Sequence, residues 1–167
     1  MINLGQENRC ICSQYNSYPD ECINQYQIME KGKSVKLVPK NNSEKSIVII
    51  LDKCVINDNN MKCDALFLYN STNKKVSFLT ELKGAGDIEH AFEQLSYTKN
   101  FRDEYKNIID KWDSIDTKTT TQKYIIVTNG IINSNEKERL ENLHNIRVSQ
   151  ILHSEASTPV PDLRRYV

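Results

Sequence analysis

A predicted β-hairpin lies at residues 64–83, whose sequence is DALFLYNSTNKKVSFLTELK. Apolar residues that favour β-strands flank the polar cluster 70–73, a pattern that is typical of a hairpin turn. A turn centred between Thr72 and Asn73 pairs residues whose numbers sum to 145. Both faces of this hairpin carry apolar side chains, so we expect it to be covered by protein on both sides.

The predicted pairing places Asp64 directly opposite Glu81, with their Cβ atoms about 5 Å apart. Lys83 follows Glu81 by two residues and therefore points to the same face of the sheet. Two carboxylates and one ammonium are costly to remove from water unless a partner compensates them. Mg²⁺ is a suitable partner because it binds carboxylate oxygens and keeps several waters. The alternative is a cross-strand salt bridge in which Lys83 neutralises Asp64 or Glu81.

Length and composition indicate one domain without a charge bias. The chain has 167 residues, and its 22 Lys and Arg residues balance 22 Asp and Glu residues. A chain of this length can bury roughly two thirds of its unfolded surface. It contains no run of 18 apolar residues, so we expect no membrane span. The first nine residues lack the basic and apolar segments of a signal peptide.

The missing signal peptide predicts a cytoplasmic protein, and the cysteines favour reduced thiols. Their number is odd, namely five, and no secretion signal accompanies them. The positions are Cys10, Cys12, Cys22, Cys54 and Cys63. A zinc site at the first three is an alternative, but the usual two-residue spacing between ligands is missing.

Hydrophobic periodicity predicts an α/β domain with a central mixed sheet flanked by helices. An N-terminal arm (1–20) and a loosely held C-terminal tail (155–167) complete the single domain. The long amphipathic helix begins after Asp87 as its N-cap, and Ser134 caps the next helix. The predicted helices are 21–31, 88–110 and 135–144. The predicted strands are 34–38, 46–51, 63–69, 76–83, 124–128 and 147–152.

An acidic residue two positions before a lysine is a weak signal by itself. The chain contains two further examples, Glu104 with Lys106 and Asp116 with Lys118. Neither follows an apolar strand, whereas Glu81 and Lys83 end one and precede a glycine-containing turn into a helix.

With Asp64, Glu81-Leu82-Lys83 and a following helix that bears Ala91 and Gln94-Leu95, residues 46–127 resemble the PD-(D/E)XK nuclease superfamily. This superfamily has the fold of type II restriction endonucleases and of many repair and defence nucleases. Cys63 stands where the proline of the motif would be, although that proline is often absent in the family.

The resemblance implies a Mg²⁺-dependent endonuclease, with Mn²⁺ as an alternative metal, that hydrolyses DNA in preference to RNA. It implies that Asp64, Glu81 and the main-chain carbonyl of Leu82 bind the metal. It further implies that Lys83 orients or deprotonates the attacking water and that Gln94 lines the site. Some family members add an acid from an N-terminal helix. Glu21 and Glu30 are the two options for that acid in this chain.

Two other interpretations remain open at this point. In the first, the chain is a non-catalytic domain of the same fold that binds nucleic acid or a protein. In the second, it is an unrelated α/β domain in which the charged residues form a structural salt bridge. A homodimer or a partner protein is a further option. Three groups of basic residues are candidates for contact with a phosphate backbone, with a solvated surface as the alternative for each. They are the stretch Lys31, Lys33, Lys36 and Lys40, the pair Lys74-Lys75 at the hairpin turn, and Lys99, Arg102 and Lys106 on one predicted helix face. His90 is either a phosphate contact or, more commonly for such a residue, a surface side chain.

Overall fold

The computed structural model describes residues 2–13 and 19–167. Within these residues, six strands come first, followed by two α-helices, a strand, a third α-helix and a last strand, with three short 3-10 helices in addition. The strands are β1 (Cys22–Asn24), β2 (Gln27–Glu30), β3 (Lys33–Lys36), β4 (Lys45–Ile50), β5 (Ala65–Asn70), β6 (Lys75–Lys83), β7 (Thr121–Thr128) and β8 (Gln150–His153). The α-helices are α1 (Ile88–Phe101), α2 (Asp103–Asp113) and α3 (Ser134–His144).

The strands form two sheets. Five of them make a mixed sheet in the order β4-β5-β6-β7-β8, and the first three make a small antiparallel sheet. The pairs β4–β5 and β5–β6 are antiparallel. The pairs β6–β7 and β7–β8 are parallel. Helix α1 packs against β6 and β7, and strand β3 also contacts both of them. The predicted fold class, a mixed central sheet flanked by helices, is therefore confirmed.

The predicted hairpin register is confirmed. Strands β5 and β6 pair from Ala65 opposite Thr80 to Asn70 opposite Lys75, so the residue numbers sum to 145 throughout. Every residue of β6 except Lys83 is buried. Side chains on both faces of the hairpin are therefore withdrawn from water, as the apolar sequence predicts.

The predicted helix 21–31 is wrong, because the structure has strands β1 and β2 there. Ile28 is buried and Met29 is exposed, which is the two-residue alternation of a strand. Lys31 and Gly32 both have positive φ and form the tight turn into β3. This turn pairs Glu30 with Lys33 in the ladder.

The long predicted helix 88–110 is divided into α1 and α2 at Arg102. Arg102 has an extended backbone with φ −96° and ψ 107°. Its guanidinium is buried and binds Asp58 and the carbonyl of Met61. We attribute the break to these contacts with Asp58 and Met61, which hold Arg102 while its backbone is extended.

Helix capping differs from the prediction in detail. Asp87 occupies the N-cap position of α1 but makes no side-chain capping bond. The cap of α3 is Asn133 rather than Ser134, since the Asn133 side chain accepts from the Glu136 N–H at 2.8 Å. Neighbouring residues of similar chemistry thus compete for a cap, and backbone geometry decides between them.

The end of the predicted loose tail packs on the domain. The Pro161 carbonyl accepts from the Lys36 N–H at 3.1 Å. Leu163 is buried, and Arg164 forms a two-pronged ion pair with Glu44. Burial and pairing therefore order this part of the tail.

Four of the five cysteines form disulfides, so the prediction of reduced thiols is wrong for them. Cys10 pairs with Cys54, and Cys12 pairs with Cys22. Cys63 is the remaining cysteine and is a buried thiol. The zinc alternative fails for the same reason, because a disulfide sulfur has no thiolate to offer a metal. In the described part of the chain, no helix combines the length and apolar composition needed to cross a membrane.

Candidate functional site

The end of the β5–β6 hairpin brings Asp64 and Glu81 together. The Asp64 N–H donates to Glu81 Oε2 at 3.1 Å, and the Leu82 N–H donates to Asp64 Oδ2 at 2.7 Å. Each carboxylate thus accepts a bond from the backbone of the opposite strand, just beyond the last ladder pair. This exchange holds both side chains at one end of the sheet, as the predicted pairing requires.

Lys83 completes the predicted group of three. Its ammonium lies 3.1 Å from Glu81 Oε1, and its side chain is 19% exposed whereas that of Glu81 is 1% exposed. The ammonium therefore stands between a buried carboxylate and solvent. This contact is the Lys83–Glu81 form of the salt bridge given above as the alternative, and it joins two residues of one strand instead of crossing to Asp64.

A third carboxylate, that of Glu30, approaches the pair from the small sheet. Its interaction with Asp64 and its charge near Glu81 both raise the pKa values of those carboxyls. Sequence reasoning named Glu30 only as one of two options and placed it on a helix. The Lys31-Gly32 turn signal, read as a hairpin, would have placed it at the end of a strand.

Burial is the main cause of the perturbed acids at this site. It raises the pKa of Glu81 to about 7, although the neighbouring Lys83 ammonium opposes the shift. The pKa of Asp64 is also raised well above its usual value, first by burial and then by the Glu81 and Glu30 charges. Three close carboxyls with one ammonium therefore favour proton or cation uptake.

Helix α1 supports the loop that leads into Asp64. The Gln94 amide donates from Nε2 to the Lys62 carbonyl at 2.9 Å, and Thr98 Oγ1 accepts from the Cys63 N–H at 3.0 Å. Gln94 Oε1 is buried and has no hydrogen-bond partner in the described part of the chain. The structure therefore places Gln94 beside the segment that carries Asp64, with one acceptor unused.

The donor set fits a hard divalent cation by its chemistry. Asp64, Glu81 and Glu30 offer carboxylate oxygens, the ligand type that Mg²⁺ prefers. Among the described residues, no group of three or more His, Cys, Asp or Glu side chains is arranged to hold a metal. Mg²⁺ needs only one or two protein carboxylates, since waters and substrate phosphates fill its other positions. Leu82, whose main-chain carbonyl is the predicted third ligand, lies opposite Val127 in the β6–β7 ladder.

Several other candidates lie elsewhere. His90 contacts Glu93 at 3.0 Å on an exposed helix surface. Arg102 is bound to Asp58, and the Lys99 ammonium lies 5.1 Å from the ring centre of Tyr124. Lys99 and Lys106 belong to different helices, so the predicted shared basic face is not formed. Glu21, the second option for an additional acid, uses its carbonyl to accept from the Met29 N–H.

No family model, no curated protein and no solved structure matches this chain. The site is therefore interpreted from its own geometry, and the resemblance to PD-(D/E)XK nucleases remains a prediction.

Proposed function

We propose that the protein is a Mg²⁺-dependent nuclease that hydrolyses phosphodiester bonds, with DNA as the preferred substrate. The observation that carries this proposal is the meeting of Asp64, Glu81 and Lys83 at one end of a buried hairpin. Glu81 is 1% exposed, yet it bears a carboxylate with a single ammonium partner at 3.1 Å. A purely structural ion pair does not explain the two further carboxyls at the same place, because each adds an electrostatic cost.

Bound Mg²⁺ would polarise a phosphoryl oxygen and lower the pKa of a water. Asp64 and Glu81 would hold the ion, and the backbone N–H groups of Asp64 and Leu82 orient their carboxylates. Glu30 adds negative charge that strengthens cation binding. Lys83 stands at the solvent side of Glu81, where its ammonium can orient a water or stabilise charge on a phosphate.

The experiment is a cleavage assay on plasmid, linear duplex, single-stranded DNA and RNA, with Mg²⁺ or with EDTA. We expect Mg²⁺-dependent cleavage by the wild type. Asp64→Asn and Lys83→Ala should each reduce the rate at least about 100-fold, since each removes a group that acts on the reacting phosphate. Lys111→Ala is the matched control, because it removes an exposed lysine outside the site and outside the basic groups named above.

The rival function is a non-catalytic domain that binds nucleic acid or a protein. It is favoured by the Lys83–Glu81 contact, which supplies Glu81 with a cation without any metal. Binding of the same nucleic acids without cleavage would support this rival. Cleavage that persists in both Asp64→Asn and Lys83→Ala would overturn the site, and absence of Mg²⁺ binding by titration would favour a structural ion pair.

A role in restriction, defence or repair and a cytoplasmic location remain predictions. The two disulfides oppose a cytoplasmic location, because cytosolic thiols are kept reduced in most organisms. Counting free thiols in protein taken from its native cells tests that location.

A further inference from the structure

We propose that a basic cavity at the opposite end of the main sheet binds a phosphate group. This cavity has a volume of about 400 Å³. It lies beside the amino ends of β6 and β7 and extends to the C-terminal segment. Its lining includes the lysines Lys74, Lys75, Lys118 and Lys123 and the threonines Thr119 and Thr121.

Charge makes this cavity suited to an anion. Four of its described lining residues are lysines, and none of them is acidic. Asp116 lies behind the lining, where it contacts Lys75 at 3.2 Å and Lys118 at 3.6 Å. The Lys118 N–H, with the side chains around it, lowers the Asp116 pKa to about 2, so this acid stays charged. The four lysines still exceed it, and the local charge is positive.

The lysines differ in exposure, since Lys74 is exposed, Lys118 and Lys123 are half-buried, and Lys75 is buried. The Lys75 side chain is fully buried, and its ammonium binds the Trp112 carbonyl and Asp116. Lys74 donates to the Val167 carbonyl at 3.0 Å, and Lys123 donates to the Tyr166 carbonyl. An ammonium has three donors. Lys74 and Lys123 each use one in these bonds and retain others for a phosphate oxygen.

Neutral groups and size also fit a phosphate. Thr119 and Thr121 are exposed residues of the lining and supply hydroxyl donors. A volume of about 400 Å³ falls within the usual range of small-ligand sites. Lysine binds phosphate as a point charge, so a group of lysines and hydroxyls does not require one fixed geometry.

The basic cavity is separate from the candidate nuclease site. Lys75 begins β6 and Glu81 lies six residues further along the strand, which corresponds to about 20 Å. Phosphate binding here therefore requires neither Mg²⁺ nor Asp64. A nucleic-acid backbone and a small free molecule both present such a phosphate, and the test below separates these two sources.

The test is isothermal titration with pyrophosphate and, separately, with a short single-stranded oligonucleotide, in EDTA and at low salt. We expect saturable binding by the wild type. The double variant Lys74→Gln with Lys123→Gln should bind roughly tenfold more weakly, since two ammonium contacts are lost. Glutamine still donates to a carbonyl, so the contacts with Val167 and Tyr166 can persist. A larger loss for the oligonucleotide identifies the nucleic-acid backbone as the source of the phosphate, and a larger loss for pyrophosphate identifies a free phosphate.

Two controls make the result specific. Lys111→Gln removes an exposed lysine that lies outside the cavity and outside the three basic groups named above, and should leave binding unchanged. Replacing Lys74 and Lys123 by arginine should retain binding within about threefold, because the charge is kept. Absence of saturable binding in the wild type, an equal loss in Lys111→Gln, or an equal loss in the arginine variant would each overturn the proposal.

Discussion

Glu81 and Asp116 each precede a lysine by two residues, yet their surroundings shift their pKa values in opposite directions. Both form an ion pair with that lysine, at 3.1 Å for Glu81 and 3.6 Å for Asp116. The Glu81 side chain is 1% exposed and that of Asp116 is 28% exposed. Burial raises the Glu81 pKa to about 7, whereas hydrogen bonds lower that of Asp116 to about 2. Desolvation, rather than spacing, thus distinguishes the candidate site from a surface pair.

Glu81→Gln is expected to stabilise the metal-free protein at pH 8. The pKa of Glu81 is about 7 in the folded protein, whereas that of an unperturbed glutamate is 4.5. The folded state therefore holds the proton more tightly, and stability falls as the pH rises from 4.5 through 7. Glutamine does not ionise and therefore avoids this loss of stability. The free energy of unfolding at pH 8 should rise by about 1–3 kcal/mol. Urea unfolding in EDTA at several pH values measures it.

The control for this prediction is Asp116→Asn. The Asp116 pKa is lowered, so its contribution to stability is present above pH 3.8 and is lost as the pH falls through about 2. This variant should therefore be less stable than the wild type at pH 8, the opposite of Glu81→Gln. A Glu81→Gln protein that is less stable at pH 8, with an unchanged pH dependence between 5 and 8, would contradict the assigned burial cost.

At the scale of elements, local patterns were sufficient for the hairpin but not for the small sheet. The turn and the two-residue alternation lie within 64–83, so the sequence alone predicts the pairing that joins Asp64 to Glu81. Glu30 reaches the site from a different sheet, and no local period encodes that approach. The segment 21–31 is long enough for a helix, and its strand pairing depends on partners in β3 and on the Cys12–Cys22 disulfide.

The loops that follow β6 and β7 pack against each other without space for a side chain at Gly130. A Cβ atom at Gly130 would lie 2.8 Å from the Ala85 Cα and 3.0 Å from Ile88 Cδ1. Gly130→Ala should therefore displace the loop that follows Lys83 and lower the free energy of unfolding by about 1–3 kcal/mol. Any Mg²⁺-dependent cleavage should fall with it. Thermal unfolding and the plasmid assay measure the two effects.

Gly86→Ala is the matched control, because it changes the same loop in open space. Nothing lies within 4 Å of a Cβ atom at Gly86. We expect a change in the free energy of unfolding within about 0.5 kcal/mol. If both variants behave alike, the close approach of Gly130 to Ala85 does not hold this loop in place.

At the scale of the whole molecule, the disulfides fasten the N-terminal arm at two points. Cys10 is joined to Cys54, which follows β4, and Cys12 is joined to Cys22 at the start of β1. Between these bonds, Ile11 pairs with Ile49, and the Cys12 N–H donates to the Val48 carbonyl. The arm thus links the edge of the main sheet to the small sheet that carries Glu30. Loss of this link is expected to affect the stability of the whole domain.

We expect the Cys10–Cys54 disulfide to stabilise the protein more than Cys12–Cys22. The two bonds close sequence separations of 44 and 10 residues. Loop-closure entropy predicts losses of about 4 and about 3 kcal/mol on removal, because the longer loop restricts the unfolded chain more. Urea unfolding of Cys10→Ser with Cys54→Ser, and of Cys12→Ser with Cys22→Ser, measures the difference.

Thiol labelling under denaturing conditions checks the bonds themselves. One thiol, that of Cys63, should react before reduction and all five after it. Five reactive thiols before reduction, in protein denatured directly from its native cells, would restore the reduced state that the sequence predicts. The arm would then depend on the Ile11–Ile49 pairing and on its buried side chains Ile2 and Leu4. In that case a reducing agent should leave the free energy of unfolding unchanged, whereas the disulfide-bonded protein should lose several kcal/mol.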